Sequence, residues 1–229
     1  MSKDVPVCVV FDLDDTLYLE RDYVRSGFCA VDDWCKSNLQ LNGTGELSWN
    51  LFEQGRRGDI FDVALRQLGV SGDQAIIKEL VQVYRTHVPQ IFPSSDTMQC
   101  LACLKAMANL AMITDGDPAS QWKKIDALGI RNSFDLIVAT GEWGSTFSKP
   151  NPRAFLHVQN AFSSSAHYYY VGDNPAKDFT APRALGWMTV RIRREAGLHS
   201  SMCTEQPLDF ELPDLRLLPN LVLEGTPHA

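Results

Sequence analysis

No apolar stretch in this 229-residue sequence approaches the ~20 residues that a membrane-spanning helix needs. A secretion signal is not expected either. Met1-Ser2-Lys3-Asp4 sets its one Lys against an acid, and the apolar run Val5 to Phe11 is short and followed by no cleavage site. Basic runs are missing as well. Twenty-one Lys and Arg against 28 Asp and Glu leave a formal net charge of -7. That field repels polyanions, so neither nucleic-acid nor anionic-membrane binding is expected. The six cysteines (8, 29, 35, 100, 103, 203) do not read as a disulfide framework in a chain long enough to bury a real core. Cys100-Leu-Ala-Cys103 has CxxC spacing but falls in an amphipathic pattern with no second pair. Core packing is therefore expected there, rather than zinc or redox chemistry. The compartment expected from these absences is a reducing cytoplasm.

The composition that remains, 45% hydrophobic and 21% charged, is ordinary for a globular chain. The length fits one large domain, or one domain with an insertion. Five runs rich in Val, Ile, Tyr and Phe read as buried strands: Pro6 to Leu13, Asn109 to Thr114, Asp135 to Thr140, His167 to Val171 and Trp187 to Ile192. Helical patterns ending in glycine separate the later ones, with Ala119 to Leu128 stopping at Gly129 and Ala181 to Leu185 at Gly186. Alternating strand and helix predicts an α/β fold, with right-handed crossovers and a Rossmann-like parallel sheet.

From about Glu20 to Gln90 the periodicity is helical throughout. Val24, Phe28, Val31 and Trp34-Cys35 share one face of a first helix; Leu47, Leu51 and Phe52 mark a second. Phe61, Ala64, Leu65 and Leu68 mark a third, and Ile76, Leu80, Val83 and Tyr84 a fourth. Asn42 to Gly45, Gly55 to Gly58 and Gly69 to Gly72 supply the breaks. The expected organisation is a core of 1–18 and 96–229, with an all-helical cap at 19–95 inserted after the first strand. The last 30 residues, with Pro207, Pro213, Pro219 and Pro227, read as an irregular tail.

Ligands of an open parallel sheet bind beyond the carboxyl ends of its strands. Strand one ends in Asp12-Leu-Asp14-Asp15-Thr16, and strand two in Thr114-Asp115-Gly116. A loop with Lys149-Pro150 follows strand three; strand four ends in Gly172-Asp173-Asn174, with Asp178 five residues on. If the first strand runs on, Asp12 and Asp14 point to the same side. Crowded carboxylates repel, and a hard divalent cation is their natural counter-charge. Mg²⁺ suits because it uses few carboxylates and completes its shell with water and phosphate oxygens. Thr114 and Lys149 add the donors and positive charge that hold an anion. Asp is common at caps and turns, which explains any one of these motifs but not four in order.

The runs FDLDDTLY (11–18), ITDG (113–116), SKPNP (148–152) and VGDNPAKD (171–178) resemble the haloacid dehalogenase superfamily. With the helical insertion directly after the first motif, the chain is similar to the capped branch that includes phosphoglycolate phosphatases and β-phosphoglucomutases. The resemblance spans about residues 6 to 195. It implies that Asp12 is a nucleophile forming an aspartyl-phosphate, and that Asp14 protonates the leaving alcohol and then deprotonates the hydrolytic water. It implies Mg²⁺ held by the Asp12 carboxylate, the Asp14 backbone carbonyl and the Asp173 carboxylate. Thr114 is expected on the phosphoryl group and Lys149 between that group and Asp12. Thr16, Asp115 and Gly116 are expected to contact substrate, and Asn174 and Asp178 to support the ligands from behind. Asp115 stands where many relatives have Asn, which leaves its contact open.

The expected activity is a Mg²⁺-dependent phosphatase acting on a small phosphorylated metabolite: a sugar phosphate, a nucleoside monophosphate or a phospho-acid. A phosphomutase shares the machinery and is the alternative. A dehalogenase needs neither Mg²⁺ nor an acid two residues after the nucleophile. A signalling receiver is near half this length and lacks the insertion, and a non-catalytic phosphate-responsive module would not need every catalytic position filled. Substrate choice is expected to fall to the cap, where Arg56-Arg57 could reach a substrate but read more simply as a solvated turn. Tyr18, Arg21 and Arg25, at the cap entrance, have similarly weak claims. Trp143 and Phe147 either stack on substrate or anchor their loop. His87, His157, His167, His199 and His228 show no ligand spacing. Oligomeric state is not written in the sequence.

Overall fold

The computed structural model describes residues 7–70, 73–204 and 207–224. Six parallel strands form one sheet: β1 (Val7–Phe11), β2 (Asn109–Thr114), β3 (Leu136–Ala139), β4 (His167–Gly172), β5 (Met188–Ile192) and β6 (Phe210–Leu212). Their order is β3-β2-β1-β4-β5-β6. β1 lies at the centre with all five residues buried, Val10 opposite Ala111 on one side and Tyr170 on the other. Strands covered on both faces explain the near-continuous apolar runs in the sequence. The chain leaves β1 toward β2 and later returns to its other flank as β4, so the topological switch lies beside β1. A ligand crevice belongs at its carboxyl end.

The described residues divide into two compact units, one formed by 21–91 and the other by the rest. The first holds α1 (Glu20–Leu39, apart from its first residue), α2 (Thr44–Glu53), α3 (Ile60–Gln67) and α4 (Gln74–Thr86). Phe28 of α1 lies within about 6 Å of the rings of Phe52, Phe61 and Tyr84. Cys35 is fully buried and Trp34 half-buried, so the apolar face of α1 runs through Val31 and Cys35. Gly45 lets α2 approach α1 closely; a Cβ there would stand 2.7 Å from the Phe28 carbonyl oxygen.

In the second unit α5 (Thr97–Lys105), α6 (Pro118–Ala127), α7 (Arg153–Ala161) and α8 (Thr180–Ala184) connect the strands. Asp117 caps α6 by accepting from the Ser120 amide at 2.9 Å, Pro118 occupies the first turn, and Gly129 turns the chain out at φ 66°.

Two expectations need correction. The tail is not irregular: β6 pairs with β5, Val190 opposite Phe210, and α9 (Leu218–Glu224) packs on α5 with Leu218 and Val222 buried. A three-residue strand is too short to show periodicity. Pro213 falls just after it and Pro219 in the first turn of α9, where a missing N–H costs nothing. The first strand also stops at Phe11; Asp12 extends the ladder by one bond to Val171 (2.8 Å), and Asp15 then turns left-handed at φ 53°. Strand alternation therefore does not set the direction of Asp14. Met1 to Pro6, Ser71-Gly72, Pro227 and His228 lie outside the described residues. Among the described residues no helix is long and apolar enough to cross a membrane.

Candidate active site

Asp12, one residue beyond β1, is 3% exposed, and Lys149 reaches it from the loop after β3. The Lys149 ammonium lies 2.7 Å from Asp12 Oδ1, 2.7 Å from Asp178 Oδ1 and 2.9 Å from the Tyr170 hydroxyl, with its own side chain fully buried. Burial opposes the charge on Lys149, but Asp12 and Asp178 hold its pKa well above the ordinary value. Asp178 is likewise penalised by burial, yet Lys149 and Lys177 keep it below the usual carboxylate range. It also accepts from the Asn174 amide at 2.9 Å, and Asn174 Oδ1 accepts from Ala176, so these two residues build the turn that presents Asp173.

Lys149 and Lys177 together do not neutralise this cluster. Burial pushes Asp12 up to about 6 despite Lys149. Asp173, 7% exposed, is pushed to about 9 by burial and by the charges of Asp12 and Asp178. Burial is the larger cause for both carboxyls, and a nearby cation would oppose it. Asp12, Asp173 and Asp178 each bring one oxygen within 4.8 Å of the others, as do ligand atoms of Asp15, Asp173 and His199. An all-oxygen carboxylate set short of positive charge fits a hard divalent cation.

Asp14 has different company. Both its oxygens lie against Lys124 of α6, at 2.8 and 2.9 Å, and the Tyr18 hydroxyl donates to Oδ1. Burial would raise its pKa, but Lys124 pulls it below the ordinary range. Thr114, at the end of β2, donates to Gln121 Oε1 at 2.7 Å. The Thr16 hydroxyl is buried with no hydrogen-bond partner among the described residues. Asp115 accepts from Thr140 Oγ1 (2.7 Å), the Lys149 amide (3.1 Å) and Lys177 Nζ (3.2 Å). Its Oδ1 thus ties the Lys149 loop to β2, and its Oδ2 accepts from the Lys177 ammonium, which an amide nitrogen in that place could not do. Gly116 has φ 124°, and a Cβ on Gly141 would meet the Gly116 carbonyl oxygen at 2.1 Å, so the two loops need both glycines.

The structure brings Asp12, Lys149, Asp173 and Asp178 into one cluster, and Asp115 joins it through the Lys149 amide, while Asp14 is paired with Lys124 instead. Lys124, Lys177, Tyr170 and Gln121 were not singled out by sequence reasoning. The signal available was Ser120, Gln121 and Lys124 on the buried face of α6, polar residues where an apolar stripe belongs. His199 shows no ligand spacing in the sequence, yet its Nδ1 lies 3.8 Å from Asp173 Oδ2. Trp143 and Phe147 stack on Arg153, at 4.8 and 4.1 Å, and so anchor their loop. In the helical unit Arg56 pairs with Asp59 (2.8 Å), Arg57 lies over Phe52, Arg21 pairs with Glu53 and Arg25 with Glu46 (3.1 Å). Each of these arginines is satisfied locally. Cys100 is buried and Cys103 exposed, and neither joins a metal-binding cluster among the described residues.

Known proteins share this sequence pattern and fold. The chain is 30% identical over 225 residues to a glyceraldehyde 3-phosphate phosphatase of Methanocaldococcus jannaschii, covering 93% of this chain and 96% of that protein. It is 31% identical over 164 residues to a phosphoserine phosphatase of Thermus thermophilus, covering 70% and 62%. In fold it resembles a 2-haloacid dehalogenase of Pseudomonas syringae, with a TM-score of 0.66 at 21% identity over 96% of this chain and 99% of that one. The family model for haloacid dehalogenase-like hydrolases matches residues 7–186, most of the chain from β1 to the end of α8. The chain belongs to the haloacid dehalogenase-like hydrolase family.

Proposed function

We propose that this chain is a Mg²⁺-dependent phosphatase that hydrolyses a small phosphomonoester through an aspartyl-phosphate on Asp12, in the reducing cytoplasm. The observation that carries the reading is Lys149 locked between Asp12 and Asp178, beside a buried Asp173 carboxylate that pairs with no Lys or Arg among the described residues. A dehalogenase of the same fold would need neither Asp14 nor a buried cluster short of positive charge. Asp12, Asp173 and, as the family resemblance implies, the Asp14 backbone carbonyl would hold Mg²⁺. When bound, the ion supplies charge neutralisation to the transferring phosphoryl group.

The chain's own groups divide the work. An Asp12 oxygen attacks phosphorus while Lys149 holds that oxygen and the phosphoryl group in line. As the bond from phosphorus to the leaving oxygen breaks, its electron pair stays on that oxygen and Asp14 supplies the proton. Asp14 then takes a proton from the water that attacks the aspartyl-phosphate, which releases phosphate and restores Asp12. The Thr16 hydroxyl, without a partner among the described residues, is a donor for a phosphoryl oxygen, and Thr114 becomes a second when its hydroxyl turns from Gln121 to the substrate. Uncatalysed phosphomonoester hydrolysis can demand an acceleration of up to ~10²¹. One acid/base group offers only ~10²–10⁴, so most of the barrier reduction is electrostatic. Residues 21–91 are read as the cap that selects the substrate.

The names of the relatives make glyceraldehyde 3-phosphate and phosphoserine the first substrates to try, with sugar phosphates and nucleoside monophosphates beside them. Phosphate release is measured with Mg²⁺ or EDTA, with Asp12→Asn as the blank. Mg²⁺-dependent release that vanishes in the variant is expected. Release that survives the substitution would remove Asp12 as nucleophile, and accumulation of an isomer without phosphate would make the protein a phosphomutase.

A further inference from the structure

We propose that Lys124 is a positioning residue that fixes the Asp14 carboxylate for proton transfer to the leaving group. The inference rests on the acid/base role given to Asp14 above.

Lys124 lies outside all four strand-end motifs, on the inner face of α6. Its side chain is 4% exposed, and its ammonium spans both oxygens of Asp14, at 2.8 and 2.9 Å. Tyr18, fully buried, adds its hydroxyl to the same carboxylate. Docking α6 on the sheet does not require this. Ile125 next to it is fully buried, and an apolar side chain at 124 would pack at lower cost than a desolvated ammonium. The lysine is explained by what it holds.

Asp14 needs holding because the backbone does not prescribe the direction of its side chain. β1 has ended at Phe11, Asp15 turns left-handed, and the Asp14 side chain is 21% exposed. A carboxylate on such a turn samples several rotamers, and a misplacement of about 1 Å can cost on the order of 10²-fold in rate. Two-point attachment to a buried ammonium removes that freedom. The ammonium also stabilises the carboxylate that remains once the proton has passed to the leaving oxygen. Lys124 neither gains nor loses a proton in this step.

The test separates acid catalysis from folding by changing the leaving group. kcat/KM reports the steps up to phosphorylation of Asp12. An alkyl phosphate, phosphoserine or glyceraldehyde 3-phosphate, needs the proton; p-nitrophenyl phosphate does not. In the full-length protein with Mg²⁺, Lys124→Met should lower kcat/KM about 10²-fold for the faster alkyl substrate and leave p-nitrophenyl phosphate little changed. Lys124→Arg, which keeps a two-point cation, should recover most of the loss. If Lys124→Met does not fold, Tyr18→Phe removes one contact to Asp14 and should show the same selectivity, more weakly. A parallel fall on both substrates, or none on either, overturns the positioning role. Asp14→Asn is run alongside. If it lacks this leaving-group signature, the role of Asp14 itself fails; if it shows the signature and Lys124→Met does not, only Lys124 is wrong.

Discussion

Lys149 stands with no exposed side-chain surface between two carboxylates, and removing it would leave both buried without their cation. The exposed Arg56–Asp59 pair, by contrast, sits in water and contributes ~0–1 kcal/mol. Breaking a buried pair costs about 3–5 kcal/mol. Lys149→Met should therefore destabilise the fold by about 3–5 kcal/mol in urea denaturation as well as abolish turnover. Adding Asp178→Asn should return part of the stability and none of the activity; equal stability of the single variant and the parent would contradict the ion-pair geometry. Asp12, Lys149, Asp173 and Asp178 were legible in the sequence because each stands in a short polar run just past a buried strand. Lys124 and Lys177 were not. A lysine inside a helix looks like solvated surface until the helix face is known, and the Lys177 contact to Asp115 joins two loops that only the sheet brings together. The carboxylate of Asp115, open on sequence grounds, proves to hold the Lys149 amide.

Five strands were legible because parallel strands covered on both faces are rich in apolar residues, and β1 to β5 keep such runs even though β5 also carries Thr189 and Arg191. β6 was not, since an edge strand of three half-exposed residues has no such requirement. The contribution of the tail is nonetheless large. Leu215, Leu218 and Val222 are buried, the Leu215 amide donates to Asp96, and Glu211 pairs with the buried Arg191. Three buried aliphatic side chains contribute roughly 1.5–3 kcal/mol each, against a total stability of about 5–15 kcal/mol for a domain. A chain ending at residue 204 should lose its cooperative thermal transition or aggregate through the bare edge of β5. A melting curve like that of the full chain would show that β6 and α9 are dispensable.

At the scale of the whole molecule, a parallel sheet aligns all its carboxyl ends on one edge, so residues far apart in sequence meet without a dedicated scaffold. That geometry made part of the candidate site, Asp12 and Asp173 above all, readable from the strand ends. The course of the loops between them, such as the one that carries His199 to Asp173, depends on packing that no local pattern encodes. The fold is shared with dehalogenases, so it does not choose the reaction. What chooses is whether phosphorus is transferred to Asp12. The most direct measurement is an acid quench of the enzyme during turnover of its best phosphomonoester with Mg²⁺, followed by peptide mass spectrometry with and without borohydride reduction. A phosphoryl group on the peptide carrying Asp12, converted by borohydride to homoserine at that position and absent from Asp12→Asn, is the predicted result. Turnover with no phosphorylated enzyme, or with the group on another residue, would contradict the mechanism.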